Sequence, residues 1–95
     1  MKQPCVYILA NDWNGTLYVG VTSDLVKRVH EHKNDVVEGF TKKYQVHKLT
    51  WFERHQTMES AIAREKAIKA WKRDWKIRLI EEFNSGWRDL YPELL

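Results

Sequence analysis

A small mixed domain of the α/β (α+β) type is the fold this chain predicts: a three-stranded antiparallel sheet flanked by helices, in the order β-β-α-β-α-α. Three observations carry that expectation. Two short apolar runs rich in β-branched and aromatic residues, Cys5–Ala10 and Thr16–Val21, flank an Asn14-Gly15 pair, the strongest short signal for a hairpin. A third such run, Lys48–Glu53, follows after a polar stretch. The remainder carries helical periodicity with capping residues at Thr57 and Asp74.

Each element has its own reason. CVYILA is a continuous apolar run, which suits a buried strand. Asn11-Asp12-Trp13-Asn14-Gly15 is turn chemistry, and TLYVGV returns as the second strand. Ser23 or Asp24 can cap a helix running to about Asn34. Residues 35–46 read as irregular, with a short helix around Thr41–Tyr44. KLTWFE is the third strand, edge or central. Thr57 caps a helix through about Trp71, and Asp74 another through about Phe83 with Trp75, Leu79, Ile80 and Phe83 on one face. The tail from Asn84 to Leu95 folds back over the body. Three strands this short cannot bury themselves, so the helices must cover the sheet.

Size and charge bound the function. Ninety-five residues at 11.4 kDa make one domain, 1–95, with one core. Hydrophobic residues at 43% and five tryptophans exclude an intrinsically disordered chain. A single cysteine excludes an intramolecular disulfide and a multi-cysteine zinc finger. The run Cys5–Ala10 is too short for a signal-peptide core or a membrane span, so the expected compartment is the cytoplasm, without a membrane partner. The net charge of +3 becomes informative when resolved along the chain. Residues 64–78 hold seven basic and two acidic side chains, net +5, while residues 79–95 are net −3. Lys66, Lys69, Lys72 and Arg73, interleaved with Trp71 and Trp75, make a candidate nucleic-acid face, and Lys42 and Lys43 add a second small cluster. A solvated helix over core tryptophans has the same composition.

Three groups could carry chemistry. On the helix that begins after Thr57, Met58, Ala61, Ile62 and Ile68 form an apolar stripe, and Glu65 falls in its middle. A carboxylate there costs several kcal/mol unless partnered, which fits either a metal ligand at the floor of a cleft or an ion pair with Lys69 one turn on. Arg28 and His32 share a helix face and suit a phosphate, Arg as a bidentate fork and His as a proton carrier; a solvated helix edge would look the same. His30 lies about 200° around the helix from His32, so the two cannot share a metal. Tyr7 and Tyr18 approach each other across the expected hairpin, as reacting groups or as core aromatics with hydroxyls at the rim.

Taken together, these residues resemble the GIY-YIG nuclease superfamily, closest to its small single-domain members. The resemblance runs over essentially the whole chain through CVYIL, GTLYVGVTSDLVKRVHEH, FTKKY and AREKAIKAWKRDWKIRLIE, then Asn84 and Trp87-Arg88-Asp89-Leu90. It implies a GIY-YIG nuclease-like fold and a metal-dependent endonuclease acting on DNA. It also implies two hairpin tyrosines (Tyr7, Tyr18), a phosphate-stabilising Arg28, a further proton carrier at His32, and Glu65 holding one divalent ion, Mg²⁺ or Mn²⁺. Asn84 is the candidate accessory residue. The chain departs from the pattern twice: Cys5 stands where the first motif has Gly, and Val21 stands where some members have Lys. Two other functions fit the composition. One is a module that grips nucleic acid without cutting it; the other is an interaction domain that docks a protein through Trp71, Trp75 and Trp87. A core without an added recognition domain also leaves room for a protein partner that supplies substrate specificity.

Overall fold

The computed structural model describes residues 2–95. Its strands are β1 (Cys5–Ala10), β2 (Leu17–Thr22) and β3 (Lys48–Arg54). Its helices are α1 (Leu25–Lys33), α2 (Phe40–Lys43), α3 (Met58–Ala70) and α4 (Arg73–Phe83), and a 3₁₀ turn covers Tyr91–Leu94. The sheet order is β2-β1-β3 and both pairings are antiparallel. The expected α+β architecture is therefore present. No helix among the described residues is long and apolar enough to cross a membrane.

Burial explains the order. All six residues of β1 are buried, which only a central strand covered on both faces allows. β3, open in the sequence between edge and centre, is an edge strand. Val6, Ile8 and Ala10 point to one face and pack with Val19 and Trp51 beneath Ala61, Ile68, Ile80 and Trp87. Cys5, Tyr7 and Leu9 point to the other, with Leu49 beneath Leu25, Val29, Val46 and Leu90. Thus α3 and α4 cover one face, while α1 and the C-terminal tail cover the other.

A bulge keeps both faces apolar. Ile8 pairs with Trp51 and Leu9 with Leu49, so Thr50 is the extra residue. In a regular ladder, with Thr50 paired, Leu49 and Trp51 would share a face; the bulge sends them into opposite cores. Thr50 is fully buried and its hydroxyl donates to the Ile8 carbonyl at 3.0 Å. The freed Thr50 carbonyl accepts from the Asn84 side chain at 3.1 Å. Asn84 also donates to the Arg88 carbonyl at 2.8 Å and accepts from the Arg88 amide at 3.3 Å. One buried amide therefore joins the bulge, the end of α4 and the tail, where Trp87 enters the core.

The helix starts follow their caps, with one correction. Asp24 caps α1 by accepting from the Lys27 amide, and Thr57 caps α3 by accepting from the Ser60 amide. The helix expected at Thr41–Tyr44 lies at Phe40–Lys43. Asp74 does not cap α4. That place belongs to Lys72, in extended conformation, and Asp74 lies inside the first turn, where its charge still suits the positive helix end. The face expected on α4 also shifts. Ile80 is buried and Leu79 packs at the core edge, but Trp75 and Phe83 remain about half exposed. Trp87 from the tail, fully buried, supplies the large aromatic of this core instead.

Replacing Asn84 with Ala removes every bond of that amide. We expect Asn84→Ala to lower stability by about 1–3 kcal/mol, the usual effect of stranding buried polar groups. Urea unfolding measures it, and an unchanged midpoint would show that the bulge and tail do not depend on this residue.

Candidate functional site

The site is built on the β2 edge of the sheet. Tyr7 in β1 pairs directly with Gly20 in β2, and both face the α1 side. The Tyr7 ring lies flat over Gly20. A Cβ at position 20 would stand 2.5 Å from the ring's Cζ and from its hydroxyl oxygen, so only glycine lets the ring cross the strand there. Two residues earlier on the same face comes Tyr18, its ring centroid 6.3 Å from that of Tyr7.

His32 completes the group from α1. It is buried, and its ring centroid lies 5.9 Å from Tyr7 and 5.5 Å from Tyr18. Its Nε2 is 3.0 Å from the Tyr7 hydroxyl, and its Nδ1 is 2.9 Å from the Thr41 hydroxyl of α2. Burial, followed by the nearby Arg28 charge, pushes the imidazole below its usual value of 6.5, so the ring is neutral at pH 7. A neutral imidazole donates from one nitrogen and accepts at the other. The ring can therefore accept the Tyr7 proton while donating to Thr41.

Burial, reinforced by Tyr18, also pushes the Tyr7 hydroxyl well above the usual phenol range. Arg28 opposes that shift, and Glu65 and Glu31 add to it. Charges from both sides of the sheet thus act on this one oxygen. Arg28, one turn before His32, keeps 42% of its side chain exposed and meets Glu31 at 3.7 Å. It lines a polar recess of about 240 Å³ with Lys2, Thr22, Ser23, Asp24, Lys27 and Glu31.

Glu65 comes from the opposite layer, on the α3 face that also buries Ala61 and Ile68. Its side chain is only 12% exposed and meets Lys69 at 2.8 Å. Of the two sequence readings of Glu65, the ion pair with Lys69 is the one the structure contains. Met58 and Ile62, expected in that stripe, keep more than a third of their surface exposed. Among the described residues no group of three His, Cys, Asp or Glu converges as a metal cage. A lone, largely buried carboxylate suits a hard divalent ion that retains most of its water.

Residues 3–78 match the GIY-YIG catalytic domain family. The chain belongs to the GIY-YIG family. The expected fold and relationship therefore hold, and the family is one of nucleases. Its relatives include a UPF0213 protein of Staphylococcus epidermidis, 35% identical over 83 residues, covering 86% of this chain and 99% of the relative. A UPF0213 protein of Staphylococcus aureus is 35% identical over 82 residues with the same coverage. One of Staphylococcus saprophyticus is 35% identical over 69 residues, covering 73% of this chain and 84% of the relative. No solved structure matches the chain.

The GIY-YIG motif departures have structural consequences. Cys5 is 2% exposed and packs in the α1-side core, so the missing first glycine is replaced by a filled space. Val21 packs against the α3-side core and brings no cation. Of the remaining sequence candidates, Asn84 is not brought to the site: its amide is committed at β3, the opposite edge. Arg73 is committed too, donating to the Asn14 and Gly15 carbonyls at 2.8 and 2.6 Å. Lys42 pairs with Glu38 at 3.1 Å, and Lys43 lies 5.4 Å from the centre of the Tyr44 ring. Lys66 and Lys72 are exposed.

Gly20 belongs to the Tyr18-Val19-Gly20 motif of the sequence, and the structure adds the reason it must be glycine. Two participants were missed in the sequence. Glu31 carried a usable signal, three residues from Arg28 on one helix. Thr41 carried none, because its buried bond to His32 depends on how α2 docks.

Because the folded His32 binds its proton less readily than the unfolded ring, its contribution to stability is fully present above about pH 6.5 and is lost as pH falls through its folded value. Urea midpoints measured from about pH 8 to about pH 5 should fall for the wild type. For His32→Gln that slope should flatten. Parallel curves for the two proteins would place the titration elsewhere.

Proposed function

We propose that this GIY-YIG domain is a metal-dependent endonuclease that hydrolyses phosphodiester bonds in DNA. The observation that carries the reading is the buried Tyr7–His32 hydrogen bond at 3.0 Å, acted on by Arg28 from one layer and Glu65 from the other.

Each residue then has a task. Glu65 would hold the divalent ion, Mg²⁺ or Mn²⁺, which would supply Lewis acidity toward the phosphate and the leaving oxygen. Arg28, exposed at the polar recess, binds the non-bridging phosphate oxygens and stabilises the charge that grows on them. Tyr7 takes a proton from the attacking water as its own proton moves to Nε2 of His32, whose Nδ1–H donates to Thr41. Burial raises the cost of a free phenolate, so the two transfers are concerted, with Arg28 as the cationic charge beside the oxygen. Tyr18 walls the cluster, and Lys66, Lys69 and Lys72 offer charge along the backbone of the substrate. Protein partners that select the substrate remain compatible with a core this small.

Cleavage of single-stranded, duplex and branched DNA in Mg²⁺ tests the reading. Glu65→Gln should retain the fold and DNA binding but lose cleavage by at least roughly 10²–10³-fold. Full activity of purified Glu65→Gln would remove Glu65 from the mechanism. A non-catalytic grip would show as salt-sensitive binding with no cleavage of any substrate.

Arg28→Ala separates transition-state stabilisation from simple attraction. Its cleavage rate should fall on the order of 10²–10³-fold while affinity falls far less. Equal losses in both would make Arg28 a binding residue only.

A further inference from the structure

An aromatic run continues outward from the tyrosine cluster. The Phe40 ring stacks on Tyr18 with centroids 6.1 Å apart and planes 29° from parallel. Tyr44 follows, 4.8 Å from Phe40. Packing alone accounts poorly for these two rings, since Phe40 is 45% and Tyr44 43% exposed. Their placement is nevertheless fixed. Thr41, next to Phe40, is anchored inside by His32, and the Tyr44 carbonyl accepts from the Asn11 side chain at 3.2 Å. Gly39 opens α2 at φ +108°, a conformation other residues rarely adopt.

The open side of Phe40 faces a groove of about 300 Å³ lined by Leu17, Tyr18, Val19, Phe40, Lys69 and Lys76. This groove touches both halves of the site: it shares Tyr18 with the tyrosine cluster and Lys69 with Glu65. It therefore offers a flat π surface, the ammonium groups of Lys76 and of Lys69, which pairs with Glu65, and direct continuity with the proposed site. A base paired within a duplex keeps its faces against its neighbours and cannot lie on Phe40.

Building on the nuclease reading, we infer that Phe40, backed by Tyr18, is the platform for one unstacked base next to the scissile phosphate, with Lys69 and Lys76 flanking its backbone. Phe40 is a specificity-determining residue. The unstacked base can come from a single strand or from a nucleotide extruded from a duplex.

The test reads binding rather than cleavage, in the Glu65→Gln protein with EDTA present. Four labelled DNA probes are used: a short single strand, the same strand with base-free central nucleotides, a blunt duplex, and that duplex with one central unpaired nucleotide. Phe40→Leu keeps an apolar side chain without the π face; Phe40→Tyr restores the face. Phe40→Leu should weaken single-strand binding roughly 5- to 150-fold, the range expected for loss of one stacked base, while Phe40→Tyr retains it. The base-free strand and the blunt duplex should bind Phe40→Leu and its parent alike. A parallel loss on the duplex with an unpaired nucleotide identifies extrusion as a second source; a loss confined to the single strand identifies that source alone. Urea midpoints confirm that the variants are folded. Equal affinity of Phe40→Leu and parent for the single strand, or an equal loss on the base-free strand, overturns the platform while leaving the nuclease reading intact. Failure of the parent to bind any probe at low salt overturns both.

Discussion

A phenol hydroxyl and an imidazole share one hydrogen bond in the interior of this small protein, and much of the structure is arranged around keeping them there. Tyr7 can turn its ring toward the β2 edge only because position 20 has no side chain. His32 can meet it only because α1 is seated on Leu25 and Val29, which pack in the same core. Thr41 satisfies the second ring nitrogen. No buried side-chain polar atom is left without a partner among the described residues. That matters because an unpaired polar group in such a site costs a large part of a small domain's stability.

The same constraint explains how the basic residues divide. A run with net charge +5 over residues 64–78 resembles a single binding stripe when read as sequence. In the fold its members serve different ends. Arg64 bonds Glu53 and lies over Trp71, and Arg73 clamps the hairpin turn, so both help set the positions of α3 and α4 against the sheet. Lys69 and Lys76 instead line the groove beside Tyr18. Counting charge would overestimate how many cations are free for phosphate; following each side chain's partner reduces the number and places it next to the site.

Most of the fold was legible because its signals are local. The strands announced themselves by β-branched and aromatic runs, the hairpin by Asn14-Gly15, and two helices by Asp24 and Thr57. What failed was where competing elements cover the core. Trp75 and Phe83 have the right period for a buried face, yet Trp87, beyond the helix and reached through a left-handed backbone at φ +54°, occupies the interior. No periodicity reports such a tail. Asn84 failed for a related reason: the family resemblance suggested an accessory role for it, but a bulge at Thr50, invisible in the sequence of β3, creates the carbonyl it serves.

The site was legible in part, and the division follows the same logic. Tyr7, Tyr18, Arg28, His32 and Glu65 were recognisable as residue types at characteristic spacing. Glu65 was also conspicuous physically, as a carboxylate within an apolar stripe. Their relation across the sheet was not visible, because Glu65 sits on a helix covering the face opposite to Tyr7. An edge strand is normally exposed to unwanted pairing. In the proposed mechanism it is also what lets residues from both layers act on one phosphate. The order β2-β1-β3, with Tyr18 on the outermost β2, would then serve that chemistry as well as the packing.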